Sequence, residues 1–308
     1  MDLLDDVFDT LNLRGVLYFR TEFSAPWSVT VPDLSQAARF HLVVQGACIV
    51  IVEDGDPIKL GAGDMIMIPQ GRSHVLADRA GRMSPPLETV LERAGYDGRG
   101  VLSVGEHQPE AETQLICGHY TFRDRASHPI LDCLPNAIVI TAAVRNHHPW
   151  LDDVLRMMAQ RSFSGELGSV NSVKRLSEIV FMEVIRAGIA QSSETKAALE
   201  GFRDAQIGRA LEKVHRSPEH PWTVADLASE AGMSRSAFAK RFTDTLGVAP
   251  MKYLSDWRLQ RALAMLEDPR NSVQRVAAAT GYRSAAAFSR AFSSRFGIAP
   301  GEYRKAPA

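Results

Sequence analysis

The stretch from Thr223 to Phe238 reads TVADLASEAGMSRSAF, and the stretch from Ser272 to Phe288 reads SVQRVAAATGYRSAAAF. The second stretch repeats the first at an offset of 49 residues before its turn and of 50 residues from Ser284 onward, so its turn contains one inserted residue. Self-similarity at a fixed spacing is typical of a duplicated structural unit. The repeat therefore decides the fold of the C-terminal third of the chain.

The positions that the two copies share have clear structural roles. A Ser or Thr precedes each helix, where its side-chain oxygen caps free backbone N–H groups. Gly232 and Gly281 end the first helix of each copy in a left-handed conformation that suits glycine. Two phenylalanines spaced four residues apart bury one face of the second helix. The pattern predicts two helix-turn-helix units, in which the second helix enters the major groove of DNA. The capping residues are Thr223, Ser234, Ser272 and Ser284, and the aromatic pairs are Phe238 with Phe242 and Phe288 with Phe292.

The exposed faces of the two predicted recognition helices combine basic and small side chains. An arginine can make a bidentate contact to guanine, and small residues let a helix lie deep in the groove. Two helical hairpins that bind nothing are the alternative, but that reading does not explain why both copies share caps, glycines and aromatics. We predict DNA contacts from Arg235, Ser236, Lys240 and Arg241 in the first copy and from Ala286, Ala287, Ser289 and Arg290 in the second.

The charge distribution agrees with this prediction. The chain of 308 residues has a formal net charge of −1. From Ala205 onward it holds 16 Lys and Arg against nine Asp and Glu, whereas the first 204 residues hold 19 against 27. A basic third, with a net charge of +7, is expected where one module meets a polyanion and the other does not.

The first half of the chain has the pattern of a β-rich domain. Short apolar or alternating runs between about residues 15 and 145 are separated by turns rich in Gly, Pro and Asp, which predicts a sandwich or barrel. Residues 80–112 read as a long excursion with little core of its own. Helical spacing begins at Pro149, and the polar residues 191–200 mark a junction. The apolar helix predicted over Ser169 to Ile185 is either an interaction helix that pairs with its twin or an intrachain core helix.

The span from Trp222 to Arg304 resembles the DNA-binding domain of the AraC/XylS transcription regulators. The resemblance implies seven helices, with a long helix from Met251 to Leu266 holding the two readers about 34 Å apart, in successive major grooves. In the register of that family, the base-facing positions are Ser236, Ala239 and Lys240 in the first reader and Ala286, Ala287 and Arg290 in the second.

The stretch from Gly63 to His74 resembles the second cupin motif, a glycine, five residues, Pro-x-Gly and then a histidine. Around His41 only a remnant of the first motif is found, because Val43 stands where a second histidine is usual. Residues two apart on a strand face the same way, so Cys117 and His119 could join His41 and His74 in a structural Zn²⁺ site. The alternative is a buried strand cysteine beside an unrelated histidine.

These observations predict an α+β multidomain chain with a cupin-like β-barrel sensor (residues 1–148), a helical linker that includes a dimerisation region (149–200) and an all-α DNA-binding domain with two helix-turn-helix motifs (201–308). We expect an effector-responsive regulator, most simply an activator that contacts RNA polymerase, which binds promoter DNA as a homodimer. Three cysteines and no signal peptide or membrane span indicate the cytoplasm and no membrane partner.

Two other functions fit parts of the sequence. One is a metal-dependent cupin enzyme fused to a DNA-binding domain, against which the incomplete first motif argues. The other is an effector-independent repressor whose cupin serves only for dimerisation. We expect no catalytic activity.

Overall fold

The computed structural model describes residues 3–34, 36–106, 112–126, 128, 131, 134–164, 166–191 and 204–305. The chain divides into two compact units. One, the sensor unit, comprises Leu13–Phe122 and Leu134–Ser192; the other, the reader unit, comprises Met1–Asn12, Arg123–Cys133 and Ser193–Ala308. The predicted junction at residues 191–200 lies outside the described residues, apart from residue 191.

The sensor unit is built on two β-sheets. The larger sheet has the order β10-β6-β3-β9-β1-β8, and the smaller has the order β2-β7-β4-β5. All pairings are antiparallel except that of β1 with β8. The strands are β1 (Arg14–Ser24), β2 (Ser28–Val31), β3 (Ala37–Gln45), β4 (Ala47–Val52), β5 (Ile58–Gly61), β6 (Met65–Ile68), β7 (His74–Ala77), β8 (Val101–Val104), β9 (Glu112–Thr121) and β10 (Ile138–Ile140).

The core of the sensor unit takes apolar side chains from both sheets. Val43, Ile66 and Leu115 come from the larger sheet, and Val50 and Leu76 come from the smaller one. Strands whose alternate residues face a shared core are expected in a sandwich or barrel. The cupin-like β-rich fold predicted for this half is confirmed.

The excursion over residues 80–112 differs from its prediction. It contains α2 (Leu87–Arg93) and β8, and it contributes Val90 and Leu102 to the core. The prediction underestimated the core contribution of this segment because its Gly, Pro and Arg residues outnumber the few apolar side chains that pack.

Among the described residues, three helices complete the sensor unit, namely α3 (Ala142–Asn146), α4 (Pro149–Phe163) and α5 (Ser169–Gln191). The α5 helix packs on β1 and α4, with Val180 and Ile185 fully buried. The ring of Phe181 lies 4.8 Å from that of Tyr120, and the backbone N–H of Gly15 donates to Glu178 at 3.1 Å. The apolar face of this helix packs within the chain, as the core-helix alternative predicts, and pairing of the helix with its twin stays a prediction.

The reader unit consists of helices. Residues 204–305 form seven of them, the number that the family resemblance implies, and α1 (Leu3–Leu11) joins them. The seven are α6 (Ala205–Arg216), α7 (Val224–Ala231), α8 (Arg235–Leu246), α9 (Pro250–Leu266), α10 (Val273–Ala279), α11 (Ala285–Phe296) and α12 (Pro300–Tyr303).

These two units do not follow the predicted boundaries. The helices over residues 149–191 belong with the β-sheets rather than to a separate linker, because α5 buries its apolar face on them. The segments Met1–Asn12 and Arg123–Cys133 belong to the reader unit although they lie within the predicted sensor. Contacts between segments more than 100 residues apart leave no local pattern in the sequence, so the boundaries were not readable from it.

Candidate nucleic-acid interface and sensor site

The first helix-turn-helix unit consists of α7, a turn and α8. Thr223 caps α7 in a reciprocal arrangement with Asp226, in which each side chain accepts a backbone N–H of the other residue. Gly232 then ends α7 with a φ of +65°, and the Ser234 hydroxyl accepts the N–H of Ala237 at the start of α8. The predicted caps and the predicted glycine are therefore confirmed in this copy.

The second unit, α10 and α11, repeats this arrangement with one difference. Ser272 and Ser284 cap the two helices, and their hydroxyls accept the backbone N–H groups of the residues three positions on. The C-cap is Thr280, whose hydroxyl donates to the carbonyl of Val276 at 2.8 Å. Gly281 follows with a φ of +80°. The left-handed glycine is thus confirmed here as well, one residue after the cap.

In both recognition helices the aromatic pair faces inward and the basic residues face outward. Phe238 and Phe242 are buried in α8, and their rings lie 5.5 Å apart. Phe288 and Phe292 are arranged in the same way in α11, also at 5.5 Å. Burial of one helical face leaves the opposite face to solvent. The exposed residues include Arg235, Ser236, Lys240 and Arg241 on α8 and Ala286 and Arg290 on α11, while Ala239, Ala287 and Ser289 are half-buried.

The four predicted basic contacts differ in their intramolecular partners. Arg241 forms an ion pair with Asp204 and donates to Gln206 at 2.8 Å, so it joins α8 to the start of α6. Lys240 pairs with Asp244 one turn along the same exposed face. Within the described part of the chain, Arg235 and Arg290 have no such partner. An exposed pair of the Lys240 type is worth at most about 1 kcal/mol, so it leaves the ammonium available to DNA.

The electrostatics of Asp204 explain why the Arg241 side chain stays bound to it. Burial alone raises the pKa of this carboxyl, but the N–H groups of Ile207 and Gln206 and the Arg241 guanidinium bring its pKa below the ordinary value. The same carboxylate caps α6. Arg241 therefore has a structural role in packing α8, which the spacing of charges along one helix did not reveal.

A buried polar cluster supports α9, the helix between the two readers. The Tyr253 hydroxyl lies 2.7 Å from Nε2 of His215 and 3.3 Å from Nε2 of His128, and His215 stacks on Trp257 with ring centroids 3.8 Å apart. Asp6 of α1 lies 3.5 Å from Nδ1 of His215. Burial lowers the pKa of His215, and it lowers the pKa of His128 to about 3. Both imidazoles are therefore neutral, and these contacts tie Asp6 of α1 and residue 128 to α9.

In the sensor unit, two of the four predicted metal ligands meet. Nε2 of His41 on β3 lies 2.7 Å from Nε2 of His74 on β7, so the pair bridges the two sheets. Nδ1 of His74 lies 2.9 Å from the carbonyl of Arg72 and must donate to it. The Nε2 atom of neutral His74 is then an acceptor, and His41 donates to it. Burial lowers the pKa of His74 to about 4 and that of His41 well below its ordinary value, so both rings are neutral.

The other two predicted ligands lie on the same face of the larger sheet. Cys117 pairs in register with His41, and His119 pairs with Arg39. Cys117 and Cys48 are both buried free thiols, and burial raises the pKa of Cys117, which disfavours the thiolate that a metal needs. Cys133, the third cysteine, lies outside the described residues.

This arrangement does not fit the predicted zinc set. Two imidazoles on one tetrahedral Zn²⁺ have their ligating nitrogens roughly 3.3 Å apart, because each Zn–N bond is about 2.0–2.1 Å long. The 2.7 Å separation of His41 and His74 is instead that of a direct hydrogen bond. Among the described residues, no three His, Cys, Asp or Glu side chains are placed to hold a metal ion. Zinc therefore stays a prediction, and it requires the two rings to move apart.

Comparison with known proteins decides the family. Residues 2–190 match the model of a cupin family, and residues 227–306 match that of a helix-turn-helix domain family. A Streptomyces antibioticus protein named as an AraC-like transcription regulator is 32% identical over 100% of this chain and 99% of its own length. The chain belongs to the AraC-like transcription regulators.

Two further relatives are similar over nearly their whole length. The HTH-type transcriptional regulator MtrA of Neisseria gonorrhoeae is 27% identical over 99% of this chain and 98% of its own. The HTH-type transcriptional regulator AlkR of Acinetobacter baylyi is 29% identical over 99% of each. The family resemblance drawn from the repeat is confirmed, and the regulator binds DNA through its helix-turn-helix domain. Within the described residues, no helix has the length and apolar character that crossing a bilayer demands.

Proposed function

We propose that this regulator binds double-stranded promoter DNA by inserting α8 and α11 into the major groove, with Lys240 and Arg290 making the main hydrogen-bonded base contacts. The observation that carries the proposal is the exposure of both side chains on the face opposite the buried phenylalanine pairs. A helix of this kind presents its outer face to base edges once it enters the groove.

The small residues beside these two cations support the same function. Ala239, Ala286 and Ala287 have no side chain long enough to keep the helix axis away from the bases. Arg290 is the strongest candidate for base readout because its guanidinium can contact O6 and N7 of guanine together. Arg235, Ser236 and Ser289 are proposed to contact the backbone or base edges nearby, whereas Arg241 must first release Asp204.

Selection of bound fragments from a random DNA pool by the full chain tests the proposal. We expect an enriched sequence with two conserved tracts about one helical turn apart, each protected from cleavage in its major groove. A pool that stays random after repeated selection would contradict the proposal. Repeating the selection with cell extract tests for the effector at the same time.

We further propose that a small-molecule effector binds the sensor unit and changes DNA binding by shifting a population of states. The supporting observation is that the chain joins a β-rich unit, the half that its family uses for sensing, to a separate reader unit. The activator role and a contact to RNA polymerase are part of this proposal. Such a protein acts in the cytoplasm, where promoter DNA is found.

A homodimer is the oligomeric state that we propose. Among the described residues, seven large apolar side chains are well exposed, and five of them fall between residues 150 and 179. A contiguous patch of exposed apolar side chains is typical of an interaction surface, and we propose that these five form such a patch. Sedimentation of the full chain tests this, with Met157→Lys and Ile179→Lys expected to give a monomer. An unchanged sedimentation coefficient in both variants would contradict it.

A further inference from the structure

A cleft of about 670 Å³ opens on the sensor unit between β2, α2 and β8. This volume lies within the range of small-molecule sites in proteins. One wall is the segment over residues 79–85, which is anchored along β2: the Ser28 hydroxyl donates to the Met83 carbonyl at 2.8 Å, and the Thr30 N–H donates to Pro85 at 2.8 Å. Backbone anchoring of this kind means that the cleft is preformed.

The charge of the cleft has one sign. Arg79, Arg82 and Arg93 line it, and among the described residues no acidic side chain does. Asp78 is not a lining residue, but it binds Arg82 through two hydrogen bonds of 2.6 and 2.7 Å and so neutralises that guanidinium. The positive charge open to a ligand is therefore that of Arg79 and Arg93, whose planar guanidinium groups suit a carboxylate.

The remaining lining is largely apolar, apart from Ser28 and Ser103. Trp27, Met83, Val90 and Val104 provide an apolar surface. Trp27 is only 3% exposed, and its indole N–H has no hydrogen-bond partner among the described residues. That nitrogen has almost no solvent-accessible area, so Trp27 contributes apolar ring surface to the wall rather than a hydrogen bond to a ligand.

We propose that this cleft binds small molecules with a flat apolar body and one carboxylate-type anionic group, and that such a molecule is the effector. The apolar body lies against Trp27 and Val90, and the anionic group lies at Arg79 and Arg93. The inference depends on the effector response proposed above. It differs from a ligand inside the barrel, because the cleft is formed by the excursion over residues 80–105.

Titration calorimetry of the full chain with two isosteric probes tests the proposal. The probes are 2-naphthoate and its neutral analogue 2-naphthamide. We expect the naphthoate to bind at least tenfold more tightly than the amide. We also expect it to change the affinity of the chain for the operator, which is the DNA sequence enriched from the random pool. Equal affinities for the two probes, or naphthoate binding that leaves operator affinity unchanged, would overturn the proposal.

Matched variants locate the site. Arg79→Gln and Arg93→Gln each remove one cation of the cleft, and the two combined should weaken naphthoate binding by at least fivefold. Lys59→Gln, an exposed cation elsewhere on the sensor unit, is the control and should have no effect. If the cleft variants bind naphthoate like the wild type, the proposal is wrong.

Operator binding of each sample without probe separates this inference from the proposed function. Normal operator binding with no preference for naphthoate rejects the cleft as the effector site and leaves DNA recognition standing. Absence of specific DNA binding in the wild type rejects the proposed function, whatever the calorimetry shows.

Discussion

At the scale of single residues, Gly247 and Gly281 have the same backbone conformation but different surroundings. Both glycines are left-handed, with φ values of +69° and +80°. A Cβ on Gly247 would meet nothing within 4 Å, whereas a Cβ on Gly281 would lie 2.8 Å from both the Arg258 guanidinium and the Glu219 carbonyl. The arginine end can move, but the backbone carbonyl cannot.

Replacement of each glycine by alanine separates these effects. Gly247→Ala should lower the free energy of unfolding by about 1 kcal/mol through backbone strain alone. Gly281→Ala should lower it by roughly 2–3 kcal/mol, because overpacking adds a similar amount. Urea unfolding of the two variants measures the difference. If both variants lose the same free energy of unfolding, the turn of the second copy accommodates the new methyl group without overpacking.

The residue scale also shows what the sequence predicted and why. Caps and left-handed glycines act on backbone groups within four residues, so Thr223, Ser234 and Gly232 could be identified from local spacing. The role of Arg241 could not be identified, because its partner Asp204 lies 37 positions earlier and the charge spacing of α8 gives no hint of it.

At the scale of elements, the His41–His74 pair links the two sheets of the sensor unit. Both imidazoles are buried, and burial lowers the pKa of His74 to about 4 while an unfolded chain protonates near 6.5. The unfolded state therefore binds more protons between these values. The contribution of the pair to the free energy of unfolding is fully present above about pH 6.5. It is lost as the pH falls toward 4, at up to about 1.4 kcal/mol per pH unit for each such histidine.

The His74→Asn variant tests this at matched pH values. Urea unfolding between pH 7 and pH 5 measures how steeply the free energy of unfolding falls with pH. The slope should be shallower in the variant than in the wild type, because unfolding of the variant takes up about one proton fewer. His147→Asn, altered at an exposed position of the same unit, should keep the wild-type slope. A slope in His74→Asn that equals the wild-type slope would contradict the buried neutral pair.

Elements were predicted well where their pattern was strong. The seven reader helices and the β-rich sensor followed from apolar periodicity and from the family resemblance. The polar cluster around Tyr253 was missed because its members come from α1, α6, α9 and residue 128. Only the folded chain brings these four places together.

At the scale of the whole molecule, the acidic first 204 residues and the basic remainder belong largely to different units. A module with a net charge of +7 releases counterions when it binds a duplex. Specific affinity should therefore fall steeply with salt, with a slope of about −0.9 on logarithmic axes for each phosphate contacted. Binding titrations from 50 to 200 mM salt measure the slope, and a flat dependence would contradict the basic interface.

The domain boundaries belong to this scale as well, and they were the least predictable feature. Residues 149–191 looked like a linker because they follow a change from strand to helical spacing. They form part of the sensor unit because Phe181 and its neighbours bury an apolar face on the sheets. Where such a face packs depends on the folded surface of another domain, which one-dimensional spacing does not encode.

The most direct test of the central claim is the sequence preference of Arg290→Ala compared with that of Arg295→Ala, measured on the selected operator and its single-base variants. Both arginines are exposed on α11, but Arg295 lies near Asp256 within the reader unit. We predict that Arg290→Ala loses roughly 1–3 kcal/mol of specific binding and its preference at one base pair, while Arg295→Ala keeps the wild-type preference. An Arg290→Ala variant as tight and as selective as the wild type would contradict the account.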